Sequence, residues 1–69
     1  MIRIGDAWVL PRHIVAVMLT QAACQNYVNG WYVVLATTGG TEIYTTEHEH
    51  KDDAEAAAEA AMRRLEWPT

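Results

Sequence analysis

His48 and His50 stand two residues apart in the run Glu47-His48-Glu49-His50, which continues into Lys51-Asp52-Asp53. In an extended chain alternate residues project to one side. Two imidazoles so placed can chelate Zn, Ni or Cu through their ring nitrogens, with a carboxylate completing the set. A solvated strand-to-helix junction explains the same run, because acids ahead of a helix favour its positive N-terminal end. That second reading is preferred, so neither a metal nor a cofactor is expected. The remaining histidine, His13, lies far away in sequence.

Nucleophilic catalysis needs a nucleophile within reach of a base, and acid/base work needs two carboxylates held apart in a pocket. Serine is absent, and Cys24 with His13 or His48 is the thiol pair on offer. Nothing in the spacing orients such a pair, and an isolated cysteine behaves as a small apolar residue. Gly39-Gly40 is not a phosphate loop, because no Lys-Ser/Thr follows and it joins two strands rather than opening a helix. The expectation is therefore a protein that is not an enzyme.

The aromatic residues suggest binding instead. Along an extended segment Trp31, Val33 and Leu35 point to one face while Tyr32, Val34 and Ala36 point to the other, so both faces are apolar. One helix covers one face, which leaves the other for a second copy of the chain or a different protein. The expected partner-binding residues are Trp8, Tyr32, Val34 and Tyr44. In the competing arrangement the N-terminal hairpin folds over that face and buries it internally.

These side chains need elements to hold them. Ile2-Arg3-Ile4, a Gly5-Asp6 turn and Ala7-Trp8-Val9-Leu10 predict a short hairpin. Pro11 ends it and opens a connecting turn through His13. A β-branched run predicts a third strand over 14–20. Residues 21–30 read either as a loop or as an extension of that strand through Tyr27-Val28, with Asn29-Gly30 as a hairpin turn. A strand over 31–38, the Gly39-Gly40 turn and a partner strand over 41–46 form the second hairpin. Ala54, Ala57, Ala58, Ala61, Met62 and Leu65 recur at helical spacing, predicting a helix from about 52 to 66. Thr46 with Glu49, or Asp52 with Glu55, offers a capping pair, and Pro68 a stop. The fold class expected is α+β: a small antiparallel sheet of four to five strands packed by one C-terminal helix.

Sixty-nine residues fit a single domain spanning 1–69. A core of this size contributes roughly 3–5 kcal/mol, so such chains lean on disulfides, metals or oligomerisation. Cys24 is the sole cysteine and fits a reducing compartment, and no secretory signal is read, which predicts a cytoplasmic protein. The longest aliphatic run, 14–19, is too short to cross a bilayer. A net charge of -4 with five Lys and Arg argues against nucleic acid as a partner. Eight of the nine acids follow Gly39, so an apolar front precedes an acidic back.

The order of short strands, a Gly-turn hairpin and an amphipathic helix over 14–65 resembles the small FlbD-type flagellar proteins, from which residues 21–30 depart. The tail Ala54-Glu55-Ala56-Ala57-Ala58-Glu59-Ala60-Ala61-Met62-Arg63-Arg64-Leu65-Glu66-Trp67 is similar in idiom to small accessory proteins from phages of high-GC actinobacteria. Many of those look like host-directed inhibitors or toxins. The resemblance implies a host protein as partner and transfers no functional residue. The reading favoured is a non-enzymatic interaction module, a homodimer or a host-protein ligand; the alternative is a small metal- or ligand-binding regulator using His48 and His50.

Overall fold

The structure is a computed structural model and describes residues 1–67. Its elements run β1 (Ile2–Ile4), β2 (Ala7–Val9), a short 3-10 turn (Pro11–His13), β3 (Ile14–Ala22), β4 (Gly30–Thr37), β5 (Glu42–His48) and α1 (Lys51–Arg64). The fold is α+β, with five antiparallel strands in two sheets: a β1-β2 hairpin and a three-stranded sheet in the order β3-β4-β5.

The N-terminal hairpin turns at Gly5, whose φ of +58 suits the first central position of a tight hairpin turn. Ile2 faces Val9, Ile4 faces Ala7, and Arg3 faces Trp8. The first two pairs therefore share one side of the hairpin and the Arg3/Trp8 pair takes the other. Pro11 starts the 3-10 turn, and His13 N–H donates to the Leu10 carbonyl at 2.9 Å.

β3 is longer than its β-branched run suggests. Thr20, Gln21 and Ala22 pair with Tyr32, Trp31 and Gly30. The strand does not extend through Tyr27-Val28, nor does Asn29-Gly30 form a two-residue turn; 23–29 is a loop closed by Cys24 N–H donating to the Tyr27 carbonyl at 2.8 Å. β5 likewise runs on through Glu47 and His48. Only Glu49 and His50 are left to join strand and helix, which shortens the junction over 47–51 expected from sequence.

β4 is the central strand. Its partners fix the two faces: Val17 and Ile43 flank Leu35, while Met18 and Tyr44 flank Val34. The register slips once on the β5 side, between Val33 and Val34, where Thr45 is the unpaired extra residue. Such a bulge frees ladder groups. The buried Thr45 hydroxyl replaces one of those bonds by donating to the Val33 carbonyl at 2.9 Å.

α1 lies on the Leu35 face. Ala54 and Ala61 are its buried positions, with Leu65 buried at its C-cap, and Ala57, Ala58 and Met62 are half-buried, so the expected stripe faces inward. Ile4, Val9, Ile14 and Leu35 form one core cluster with Ala61 and Leu65. The β1-β2 hairpin thus packs on the same side of the sheet as the helix, and does not fold over the opposite face.

Both helix ends differ from the sequence expectation. His50 is the N-cap and makes no side-chain capping bond, so neither capping pair forms; Asp52 and Asp53 still sit in the first turn and Arg63 and Arg64 in the last. At the C-terminus Glu66 adopts φ +60, Glu66 N–H donates to the Arg63 carbonyl, and Trp67 N–H donates to the Met62 carbonyl, both at 3.0 Å. This Schellman arrangement closes the helix. Pro68, the expected stop, lies outside the described residues.

Candidate functional site

The sheet face opposite the helix carries Tyr32, Val34 and Ala36 from the central strand, with Met18 and Tyr44 beside Val34. Alternation along the strands places them there, and neither the helix nor the hairpin covers them. Tyr44 is 53% exposed and meets Tyr32 edge to face, with ring centroids 5.1 Å apart and an interplanar angle of 85°. That geometry suits the aromatic quadrupole and fixes both rings. Val34 has 0% exposure. It is the floor of the face and offers no surface of its own to a partner, unlike the two tyrosines above it.

One end of this face is closed by the 23–29 loop, held by Glu47. The Gln25 backbone N–H donates to Glu47 Oε2 at 3.1 Å, and the Asn26 side-chain amide donates to Oε1. The Cys24 thiol donates to the Ala22 carbonyl at 3.5 Å and lies beside Tyr32. The Tyr32 phenol is pushed above its usual 10.0, first by loss of solvent and then by the neighbouring Cys24 and Glu47, all of which disfavour the phenolate. Tyr32 is therefore a neutral hydroxyl at the rim of an apolar patch.

Trp8 is 64% exposed but belongs elsewhere. It sits on the outer side of the β1-β2 hairpin, on the helix side of the sheet, and lines an open groove of about 490 Å³ together with Met1, Leu10, His13 and Ile43. Tyr32, Val34 and Tyr44 come together; Trp8 does not join them.

The histidines are dispersed too. His48 Nε2 shares a 2.8 Å hydrogen bond with the Thr46 hydroxyl, and His50 lies largely exposed, 3.9 Å from the Glu49 carboxylate. Among the described residues no group of three His, Cys, Asp or Glu side chains is placed to hold a metal ion. His13 and Cys24 stand beyond opposite ends of β3, so no thiol-imidazole pair forms between them. Reading residues 14–22 at a period of two would have added Met18 to the predicted face; Glu47 as the loop's anchor has no local sequence signal, since it acts across more than twenty residues.

Neither a protein-family model, nor a curated protein, nor a solved structure matches the chain. No helix among the described residues is long and apolar enough to cross a membrane.

Proposed function

We propose that this chain is a non-enzymatic interaction module that docks a protein partner on the sheet face bearing Tyr32 and Tyr44. The observation that carries the reading is that hairpin and helix both pack on one side of the sheet, leaving the Tyr32/Val34/Tyr44 patch on the other side, between Glu42 and Glu47, covered by neither. Paired aromatic rings over a buried aliphatic floor make a rigid contact surface with little entropy left to lose on binding. The acids of α1 lie on the far side of the sheet from this patch. A free thiol fits a cytoplasmic setting. The resemblance to phage accessory proteins makes a bacterial host protein the partner to test first.

The test compares the wild type with Tyr44→Glu as baits for host extract. Because Tyr44 is more than half exposed, the variant should stay folded, melting a few degrees below the wild type from the lost ring pair. The expected result is one stoichiometric partner held by the wild type and lost with Tyr44→Glu. Equal capture by both proteins, or capture of nothing by either, overturns the proposal.

A further inference from the structure

The strand order leaves β3 and β5 with one neighbour each. Soluble proteins keep edge strands from pairing by making them short, charging them, placing proline in them, bulging them or covering them. β5 is protected in this way, carrying Glu42 and Glu47 and a mid-strand bulge. β3 is the longest strand, nine residues of IVAVMLTQA without a charge or a proline. Its one irregularity falls at its start, between Ile14 and Ala16, and regular pairing runs on to Ala22. Beyond Ile14 none of its side chains is buried. A chain with a net charge of -4 thus presents a long, uncharged, unpaired row of backbone donors and acceptors.

We propose that the outer edge of β3 pairs antiparallel with β3 of a second copy, joining two three-stranded sheets into one of six strands. Three observations favour a second copy over other occupants. The strand brings no like charges together when it meets itself, whereas β5 meeting β5 of a second acidic chain would. Antiparallel pairing of a strand with itself is satisfied by a two-fold axis, the commonest symmetry of soluble oligomers. The domain also has neither a disulfide nor, among its described residues, a metal cluster, which leaves association as the staple a core this small needs. The two-fold axis stands perpendicular to the sheet, so both Tyr32/Tyr44 faces lie on the same side. The pairing doubles the docking face proposed above but rests on the edge alone.

Val15 and Gln21 are both exposed on β3, so charges there need not disturb the monomer. The double variants Val15→Lys/Gln21→Lys and Val15→Glu/Gln21→Glu are to be sedimented alone and mixed, with circular dichroism recorded in parallel. The wild type should sediment as a dimer of the 7.7 kDa chain. Each variant alone should dissociate about tenfold or more readily, from like charges facing across the seam, and the mixture should recover a heterodimer. If a variant alone loses its structure, recovery of both structure and dimer on mixing supports the pairing, and failure to recover overturns it. A monomeric wild type, or Lys and Glu variants that remain dimeric, also overturns it. Because the Lys variant retains Tyr32 and Tyr44, its capture of a host partner reports on the docking face separately from the edge.

Discussion

The two faces of the central strand β4 are both apolar and have opposite fates. On one, Leu35 lies under the hairpin and α1 with no exposure; on the other, Val34 is equally buried between Met18 and Tyr44, outside that core cluster. Apolar composition alone does not tell a core from a docking surface. What separates them is which face the rest of the chain can reach, and both covering elements went to the same side.

The sharpest way to break the comparison is to place one charge on each face. Ala61→Arg puts an unpaired cation in the core cluster and should cost about 3–5 kcal/mol, enough to unfold a domain of this size. Ala36→Arg, half-buried on the open face, should cost within about 0.5 kcal/mol. Thermal melts of equal depression would mean that the open face is a core after all.

Truncation should repeat the asymmetry at lower amplitude. Leu35→Ala removes a fully buried side chain and should cost about 2–5 kcal/mol. Tyr44→Ala removes one ring of the edge-to-face pair and should cost about 0.5–1.5 kcal/mol. Urea midpoints measure both, and a larger loss at Tyr44 would reverse the assignment.

The glycine turns extend the contrast to close packing. A Cβ at Gly5 would lie 2.7 Å from Thr46 Cγ2 and 2.9 Å from the Thr45 carbonyl oxygen, and φ there is positive. Gly40 is also at positive φ but has open space around it. Gly40→Ala should therefore cost about 1–2 kcal/mol from backbone conformation alone, and Gly5→Ala distinctly more. Equal midpoints would show that the hairpin does not press on β5.

On the open face, the phenol of Tyr32 gives a pH signature. Its folded value lies above the unfolded 10.0, so its contribution is fully present below that pH and is lost as pH rises through the folded value. Alkaline titration of stability should show this loss in the wild type and not in Tyr32→Phe. The one gain expected is at the helix end: Glu66→Gly relieves a non-glycine residue at φ +60 and should add about 1 kcal/mol, read as a higher melting temperature.

Strand alternation around Tyr32 and Val34 and the Ala stripe were legible because each is a local pattern with a fixed period; the β4-β5 hairpin was legible from its glycines, though Gly40 N–H donates to the Thr37 carbonyl and so centres the turn on Thr38-Gly39 rather than on Gly39-Gly40. So were the α+β class and the inward face of α1, since a helix with apolar residues every three to four positions has one side to bury. The extension of β5 through His48 was not, because a bulge at Thr45 resets the alternation, and its compensating bond to the Val33 carbonyl spans a hairpin. The hold of Glu47 on the 23–29 loop joins distant segments. Glu66 at positive φ defies the local preference for glycine and is held by bonds back to Arg63 and Met62. Above all, sequence left open whether the hairpin would cover the second face. Both faces of β4 are apolar, and burial is non-directional. The choice fell to the tertiary packing of Ile4 and Val9 against Leu35, Ala61 and Leu65, which puts helix and hairpin in one core and leaves Tyr44 in the open.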